Sequence, residues 1–170
     1  MIPSDEKPSQ KIADTLDEKV RQASSSGRSF AGTIEATSPS GKISVGIEDA
    51  DRLGVLVGPI TASRPEGSPA NVGAQAAEAV RRLNYLQEPL AVIESEDRRG
   101  RAILRSAAPR TTSSGGREYN EAILEGGDSI SIRRYRSEPG ARRKGVPTNL
   151  SRETLGRLAD DLSDILDSTK

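Results

Sequence analysis

Hydrophobic residues in the first part of the chain recur first at helical spacing and then at strand spacing. Ile12, Leu16 and Val20 form an apolar stripe at every fourth position, which predicts a helix over residues 9–23. Apolar and polar residues then alternate in three short runs, which predicts strands that each bury one face. These strands are expected at residues 30–37, 42–48 and 53–57. Turn residues at 38–41 and 48–51 separate them, so we expect an antiparallel meander that ends at Gly58 and Pro59.

A second helix is predicted over residues 69–86, after a loop at 61–68. Ser68 suits the N-cap and Pro69 the first helical position, whereas Pro89 prevents the helix from continuing. The predicted apolar face comprises Val72, Ala76, Val80 and Leu83.

The second half of the chain predicts four further strands and a closing helix. The strands are expected at residues 90–96, 101–106, 117–124 and 129–136, with a long loop at 107–117 and a basic loop at 137–149. The helix, at 151–168, begins at Ser151 as N-cap and carries a wide apolar stripe that we expect the second meander to cover. The fold class is therefore α+β: helix, three-strand antiparallel meander, helix, then four-strand antiparallel meander and C-terminal helix. We expect two modules, at residues 9–88 and 89–170.

Two residue types are missing from the chain, and their absence limits the catalytic and metal-binding chemistry that is possible. The chain of 170 residues contains no Cys and no His, which excludes disulfides, thiol catalysis and zinc sites built from these residues. Glycine clusters match no phosphate-binding motif, and a carboxylate pair such as Glu94 and Glu121 has no motif spacing. We therefore expect no catalytic site, no cofactor and no metal. No signal-like or membrane-spanning apolar run is seen, which favours a cytoplasmic protein with no membrane contact.

The charges balance overall but are distributed unevenly. Residues 98–144 hold 12 basic and five acidic residues, whereas residues 1–97 hold 10 basic and 15 acidic ones. Such a basic window favours a polyanionic or acidic partner. The candidate phosphate-contacting residues are Arg81, Arg82, Arg98, Arg99, Arg101, Arg133, Arg134, Arg136, Arg142, Arg143 and Lys144. The alternative is that these arginines pair with Glu118, Glu121, Glu125 and Glu138 within the sheet. Two tyrosines, Tyr119 and Tyr135, are too few for a base-stacking platform, which favours duplex over single-stranded DNA.

A signature in the first half carries a family resemblance. Its residues are Glu35, Thr37, Ser38, Gly41, Ile43, Val45 and Ile47, then Leu53, Leu56 and Pro59, then residues 76–83. This order of helix, meander and alanine-rich helix resembles the YbaB/EbfC family of small bacterial nucleoid-associated proteins. The resemblance covers residues from about 10 to 86 and implies a homodimer that binds double-stranded DNA with little sequence preference.

Two functions follow as hypotheses. The first is a non-enzymatic, nucleoid-associated-like protein that contacts DNA phosphates. The second is a protein-binding adaptor or secretion-chaperone-like module with no nucleic-acid role. We also expect homodimerisation through the first module, because its meander has unpaired edges and its first helix has a narrow apolar stripe.

Overall fold

The computed structural model describes residues 6–39, 41–65 and 71–167. Within these residues the chain forms three helices and ten strands. The helices are α1 (Pro8–Ser25), α2 (Val72–Arg82) and α3 (Arg152–Asp167). The strands are β1 (Phe30–Ser38), β2 (Gly41–Ala50), β3 (Val55–Ser63), β4 (Leu90–Glu96), β5 (Arg101–Ser106), β6 (Arg110–Thr111), β7 (Arg117–Glu125), β8 (Ser129–Ser137), β9 (Lys144–Val146) and β10 (Thr148–Leu150).

The strands form one antiparallel sheet in the order β1-β2-β3-β8-β7-β5-β4. The short strands β6, β9 and β10 pair with β7, β8 and β3. This topology confirms the predicted α+β class and both meanders. Residues 60–63 of β3 pair with residues 129–132 of β8, so the two expected modules share a single sheet and a single core.

The helices cover one face of this sheet. Helix α1 packs on β1, α2 on β4, β5 and β7, and α3 mainly on α1 and β3. The alternation of the strands explains this layer, because Ile34, Val45 and Leu124 point inward and are buried. The predicted stripes of α1 and α3 are buried as well, but α3 is covered mainly by α1 and β3 rather than by the second meander. Since α1 buries its stripe within the chain, that stripe gives no reason to expect a dimer.

The largest error in the predicted strand bounds concerns β3. This strand was expected to end at Gly58 and Pro59, yet it continues to Ser63 through the region expected to be a loop. Proline is tolerated because a bulge lies here: β2 pairs with Val57 and next with Ile60. On the other side β10 pairs as far as Val57 and β8 begins at Ile60, so the missing N–H of Pro59 has no ladder partner to disrupt.

Three turns also differ from expectation. Strand β2 runs to Ala50, and the turn falls at residues 51–54, where the Asp51 carboxylate accepts hydrogen bonds from the N–H groups of Leu53 (2.8 Å) and Gly54 (3.1 Å). Leu53 is therefore exposed rather than inward-facing. The loops expected at 107–117 and 137–149 contain β6, β9 and β10.

The helix ends are set by caps. Asn71 caps α2, because its side chain accepts a hydrogen bond from the N–H of Ala74 at 3.0 Å. The predicted cap at Ser68 and Pro69 lies outside the described residues. Ser151 caps α3 as predicted, accepting from the N–H of Thr154 at 3.1 Å. In the described part of the chain, no helix is both long enough and apolar enough to cross a membrane.

Candidate nucleic-acid interface

The predicted basic residues are divided between two ends of the sheet and helix α2. Arg98, Arg99 and Arg101 lie at the β4–β5 turn, which meets the β7–β8 turn through a hydrogen bond from Gly126 N–H to Gly100 O of 2.7 Å. Arg136, Arg142, Arg143 and Lys144 lie at the opposite end, where β7 begins and β9 pairs with β8. Strand β7 connects the two ends, and at about 3.4 Å per residue they are about 27 Å apart.

Arg134 is not accessible to a ligand. It follows Ile130 and Ile132 on the inward face of β8, and only 3% of its side chain is exposed. Its two Nη atoms donate to both carboxylate oxygens of Glu88 at 3.1 and 3.2 Å, and its Nε lies 3.5 Å from Glu118. The placement of Arg134 in the phosphate-contacting set is therefore wrong: it is part of a buried ion pair.

The two arginines of α2 are neutralised by nearby acids. Arg81 and Arg82 both donate to Glu78, and these hydrogen bonds lower the pKa of Glu78 to about 2. Arg82 also reaches Asp164 at 3.2 Å and Asp161 at 3.4 Å on α3. Because α3 carries several such acids, this surface is a poor place for a phosphate.

One end of the sheet retains an excess of positive charge. We call it the basic end; it extends to the middle of β7 and β8, at Glu121 and Arg133, and apart from the buried pair of Arg134 and Glu88 it holds eight basic residues and three acidic ones. The basic residues are Arg105, Arg110, Arg117, Arg133, Arg136, Arg142, Arg143 and Lys144, and the acidic ones are Glu118, Glu121 and Glu138. Strand pairing brings them together, because Arg110 lies opposite Glu118, Arg136 opposite Lys144, and Arg117 opposite Ser137.

Ion pairs account for only part of the charge at the basic end. Glu118 binds Arg136, and Glu121 binds Arg105 and Arg143, as the alternative of internal pairing predicted. Glu138 accepts instead from the hydroxyl of Ser114 at 2.8 Å. The basic residues that form no ion pair with any described residue are Arg110, Arg117, Arg133, Arg142 and Lys144. These five cations are available to an anionic ligand.

Three of the eight basic side chains at this end were not among the candidates predicted from the sequence. Arg105, Arg110 and Arg117 were missed because they lie on strand ends next to a segment read as a loop. The signal that could have found them is the turn chemistry of residues 112–116, where Thr112 N–H donates to Gly116 O at 2.9 Å and closes a hairpin between β6 and β7. A hairpin there places Arg117 opposite Ser137, next to the loop that carries Arg142, and Arg110 on the adjoining strand.

The helix-free face of the basic end carries an arginine–tyrosine cluster. Its members are Arg105, Tyr119, Glu121, Arg133, Tyr135 and Arg143. Glu121 is at the centre, with 2% of its side chain exposed, and accepts from Arg105 Nε at 2.6 Å and from Arg143 Nη1 at 2.9 Å. Burial alone would raise the pKa of Glu121, but the hydrogen bonds from Arg143 and Arg105 outweigh it and lower the pKa. Glu121 is therefore an ionised structural anchor for the loop that carries Arg143.

Other candidate sites on the chain are weaker. Glu94 lies on β4 and Glu121 on β7, with β5 between them, so the carboxylate pair considered from the sequence is not formed. Among the described residues, no three His, Cys, Asp or Glu side chains are grouped so as to hold a metal ion. The edge strand β4 exposes Val92 and Ile93, and 58% of Ile93 is accessible because a bulge separates it from the ladder.

Comparisons with known proteins add no neighbour to this description. The chain matches none of the protein-family models, curated proteins or solved structures. The resemblance to the YbaB/EbfC family stays a prediction, and function rests on the geometry of the chain itself.

Proposed function

We propose that the protein binds double-stranded DNA through phosphate contacts of the basic end, without strong sequence preference and without catalysis. The observation that carries this proposal is the group of five cations that form no ion pair with described residues at one end of the sheet: Arg110, Arg117, Arg133, Arg142 and Lys144. Arginine and lysine bind phosphate by charge and hydrogen bonding, and such contacts release condensed counterions from DNA.

The shape of the basic end suits a nucleic-acid backbone. The β6–β7 hairpin carries Arg110 and Arg117, and the β8–β9 loop carries Arg142 and Lys144. Both connections leave the sheet at the same end, because Arg117 pairs with Ser137. The two connections can therefore place cations on both sides of a phosphate backbone. Contacts of this kind set the position of the protein and carry no sequence information.

The remaining surface favours one orientation on DNA. Helix α3 contributes Asp160, Asp161 and Asp164 to the helical layer, on the side of the sheet away from the arginine–tyrosine cluster. These carboxylates repel phosphate, so the basic end is the part of the molecule that approaches the duplex.

A comparison of the two ends of the sheet tests the proposal. One variant combines Arg142→Gln with Lys144→Gln at the basic end. The matched control combines Arg98→Gln with Arg99→Gln at the other end and removes the same charge. Fluorescence anisotropy with a labelled duplex of about 20 base pairs at low salt should show affinity falling roughly tenfold for the first variant and by less than about twofold for the control.

Two results would contradict the proposal. Equal weakening by both variants would mean that binding follows overall charge and has no site at the basic end. Failure of the unmodified protein to bind the duplex at low salt would remove the DNA function altogether.

The adaptor function has one observation in its favour, the exposed Val92 and Ile93 on the free edge of β4. An edge strand of this kind can accept an extended peptide as an additional strand. In that case the amide groups of β4 should become protected from hydrogen exchange when a partner binds. Ile93→Lys should prevent binding, while Leu53→Lys, at an exposed apolar residue in the turn between β2 and β3, should not.

A further inference from the structure

The two tyrosines judged too few from the sequence are side by side in the fold. Tyr119 on β7 lies directly opposite Tyr135 on β8, so both rings are on the helix-free face of the sheet. Their centroids are 6.0 Å apart and the ring planes are tilted by 31°. Adjacent strands thus supply two aromatic rings at one place, which spacing along the chain does not reveal.

Three guanidinium groups pack against these rings. Arg143 lies over Tyr135 with its guanidinium carbon 4.0 Å from the ring centroid. Arg133 lies 5.8 Å from the same centroid, and Arg105 lies 5.6 Å from that of Tyr119. One plane of the Arg143 guanidinium therefore faces a ring, and 39% of its side chain remains exposed to solvent.

Arg133 is the member of the cluster whose placement no internal ion pair explains. It forms no salt bridge with a described residue, and its Nε is buried without a hydrogen-bond acceptor. Its guanidinium lies against the backbone of Gly145 on β9, where a methyl group would overlap it. Stacking on Tyr135 and the space left by Gly145 hold this cation in place, and its cross-strand neighbour Glu121 binds Arg105 and Arg143 instead.

We infer that the arginine–tyrosine cluster binds an unpaired nucleotide of a single-stranded nucleic acid. The base stacks on the exposed plane of the Arg143 guanidinium, which is backed by Tyr135, and the adjoining phosphate binds Arg133. Bases stack on arginine planes and on aromatic rings regardless of their identity, because every base has a π-face. The inference rests on the proposed function, since it uses the same basic end, and adds to it a site for the unpaired base.

Glu121 makes the site specific for a stacked base rather than for any anion. Its carboxylate already binds Arg105 and Arg143, so these two cations are partly neutralised and are oriented by the carboxylate. A simple anion gains little from them, whereas a base uses the plane of Arg143 and needs no free charge there. Only Arg133 then supplies an unpaired cation within the cluster, which matches one phosphate per stacked base.

Substitutions at Tyr135 separate ring stacking from charge. Tyr135→Leu removes the ring, and Tyr135→Phe keeps the ring but removes the hydroxyl. The probe is a fluorescein-labelled single strand of roughly eight thymidine nucleotides, measured by anisotropy beside a labelled duplex of about 20 base pairs. Tyr135→Leu should weaken single-strand binding by about tenfold and duplex binding by clearly less, because all five cations remain and only Arg133 loses its ring, while Tyr135→Phe, which keeps the ring, should bind both as the unmodified protein does.

A second substitution tests the site without removing an aromatic ring from the sheet. Arg133→Gln removes a cation that forms no ion pair and should lower single-strand affinity about tenfold, whereas Arg98→Gln at the opposite end of the sheet should leave it within about twofold. Circular dichroism of each variant checks that the fold is retained.

The outcomes distinguish this inference from the proposed function. Equal binding by Tyr135→Leu and Tyr135→Phe would show that the ring does not stack a base and would overturn the inference. Binding of the duplex but not of the thymidine strand would overturn it too, while leaving the proposed function intact. Absence of binding to both nucleic acids would overturn both.

Discussion

Breaking the ion pair between Glu88 and Arg134 should destabilise the fold by about 3 kcal/mol. Only 3% of the Arg134 side chain and 10% of the Glu88 side chain are exposed, and two hydrogen bonds of 3.1 and 3.2 Å join them. Removing one partner of such a pair costs about 3–5 kcal/mol, because it leaves a buried charge uncompensated. Glu118 remains 3.5 Å from Arg134 Nε, which places the expected cost of Glu88→Leu at the lower end, about 3 kcal/mol.

A double-mutant cycle isolates the interaction. Glu88→Leu and Arg134→Met are measured singly and together by urea denaturation, followed by far-ultraviolet circular dichroism. With a urea dependence of about 2 kcal/mol per molar, the loss of about 3 kcal/mol lowers the midpoint by about 1.5 M. The double variant should regain at least about 2 kcal/mol relative to the sum of the singles, because apolar residues of similar volume then replace both charges.

One result of this double-mutant cycle would contradict the buried ion pair. If each single substitution costs less than about 1 kcal/mol and the costs simply add, the pair is not buried and desolvated as described. Arg134 would then be an exposed cation and would return to the set of residues that can contact phosphate.

Three further predictions concern the caps, the core and the acid response. Asn71→Ala and Ser151→Ala should each cost about 1 kcal/mol in thermal or urea unfolding, because each removes an N-cap. Leu162→Ala should cost about 2–5 kcal/mol in the same assay, since this side chain is fully buried on the inner face of α3. The pKa of Glu78 is about 2 rather than 4.5, so its contribution to stability is present above pH 4.5 and is lost as pH falls towards 2. Carboxyl titration by NMR should show this, and Arg81→Gln with Arg82→Gln should return the pKa towards 4.5.

Local pattern predicted the elements but could not predict what they pair with. The stripes of α1 and α3 and the alternation in β1 and β5 are properties of neighbouring residues, so they are visible along the chain. The β3–β8 ladder joins residues some 70 positions apart and depends on the register of the whole sheet. The course of β3 through Pro59 has the same origin, because only the partners on each side show that its missing N–H does no harm.

Composition along the chain predicted where the basic residues are concentrated. The register of the strands then corrected which of them form the candidate site. Counting arginines along residues 98–144 located the charge, but it could not show that Arg134 points inward or that Arg98 lies at the far end of the sheet from Arg142. The pairing of Tyr119 with Tyr135 is likewise a property of strand register. A sequence argument can therefore predict how much charge is present, whereas the fold decides which charges meet.

The central claim, phosphate binding by the basic end, is tested most directly by the salt dependence of duplex binding. The logarithm of the binding constant is measured against the logarithm of salt concentration for the unmodified protein and for the variant with Arg110, Arg117, Arg142 and Lys144 all changed to Gln. If the five unpaired cations each neutralise one phosphate, the slope for the unmodified protein is about −4.5, and it falls to about −1 in the variant. A steep slope that the four substitutions leave unchanged would contradict the account, because the phosphates would then be bound elsewhere on the protein.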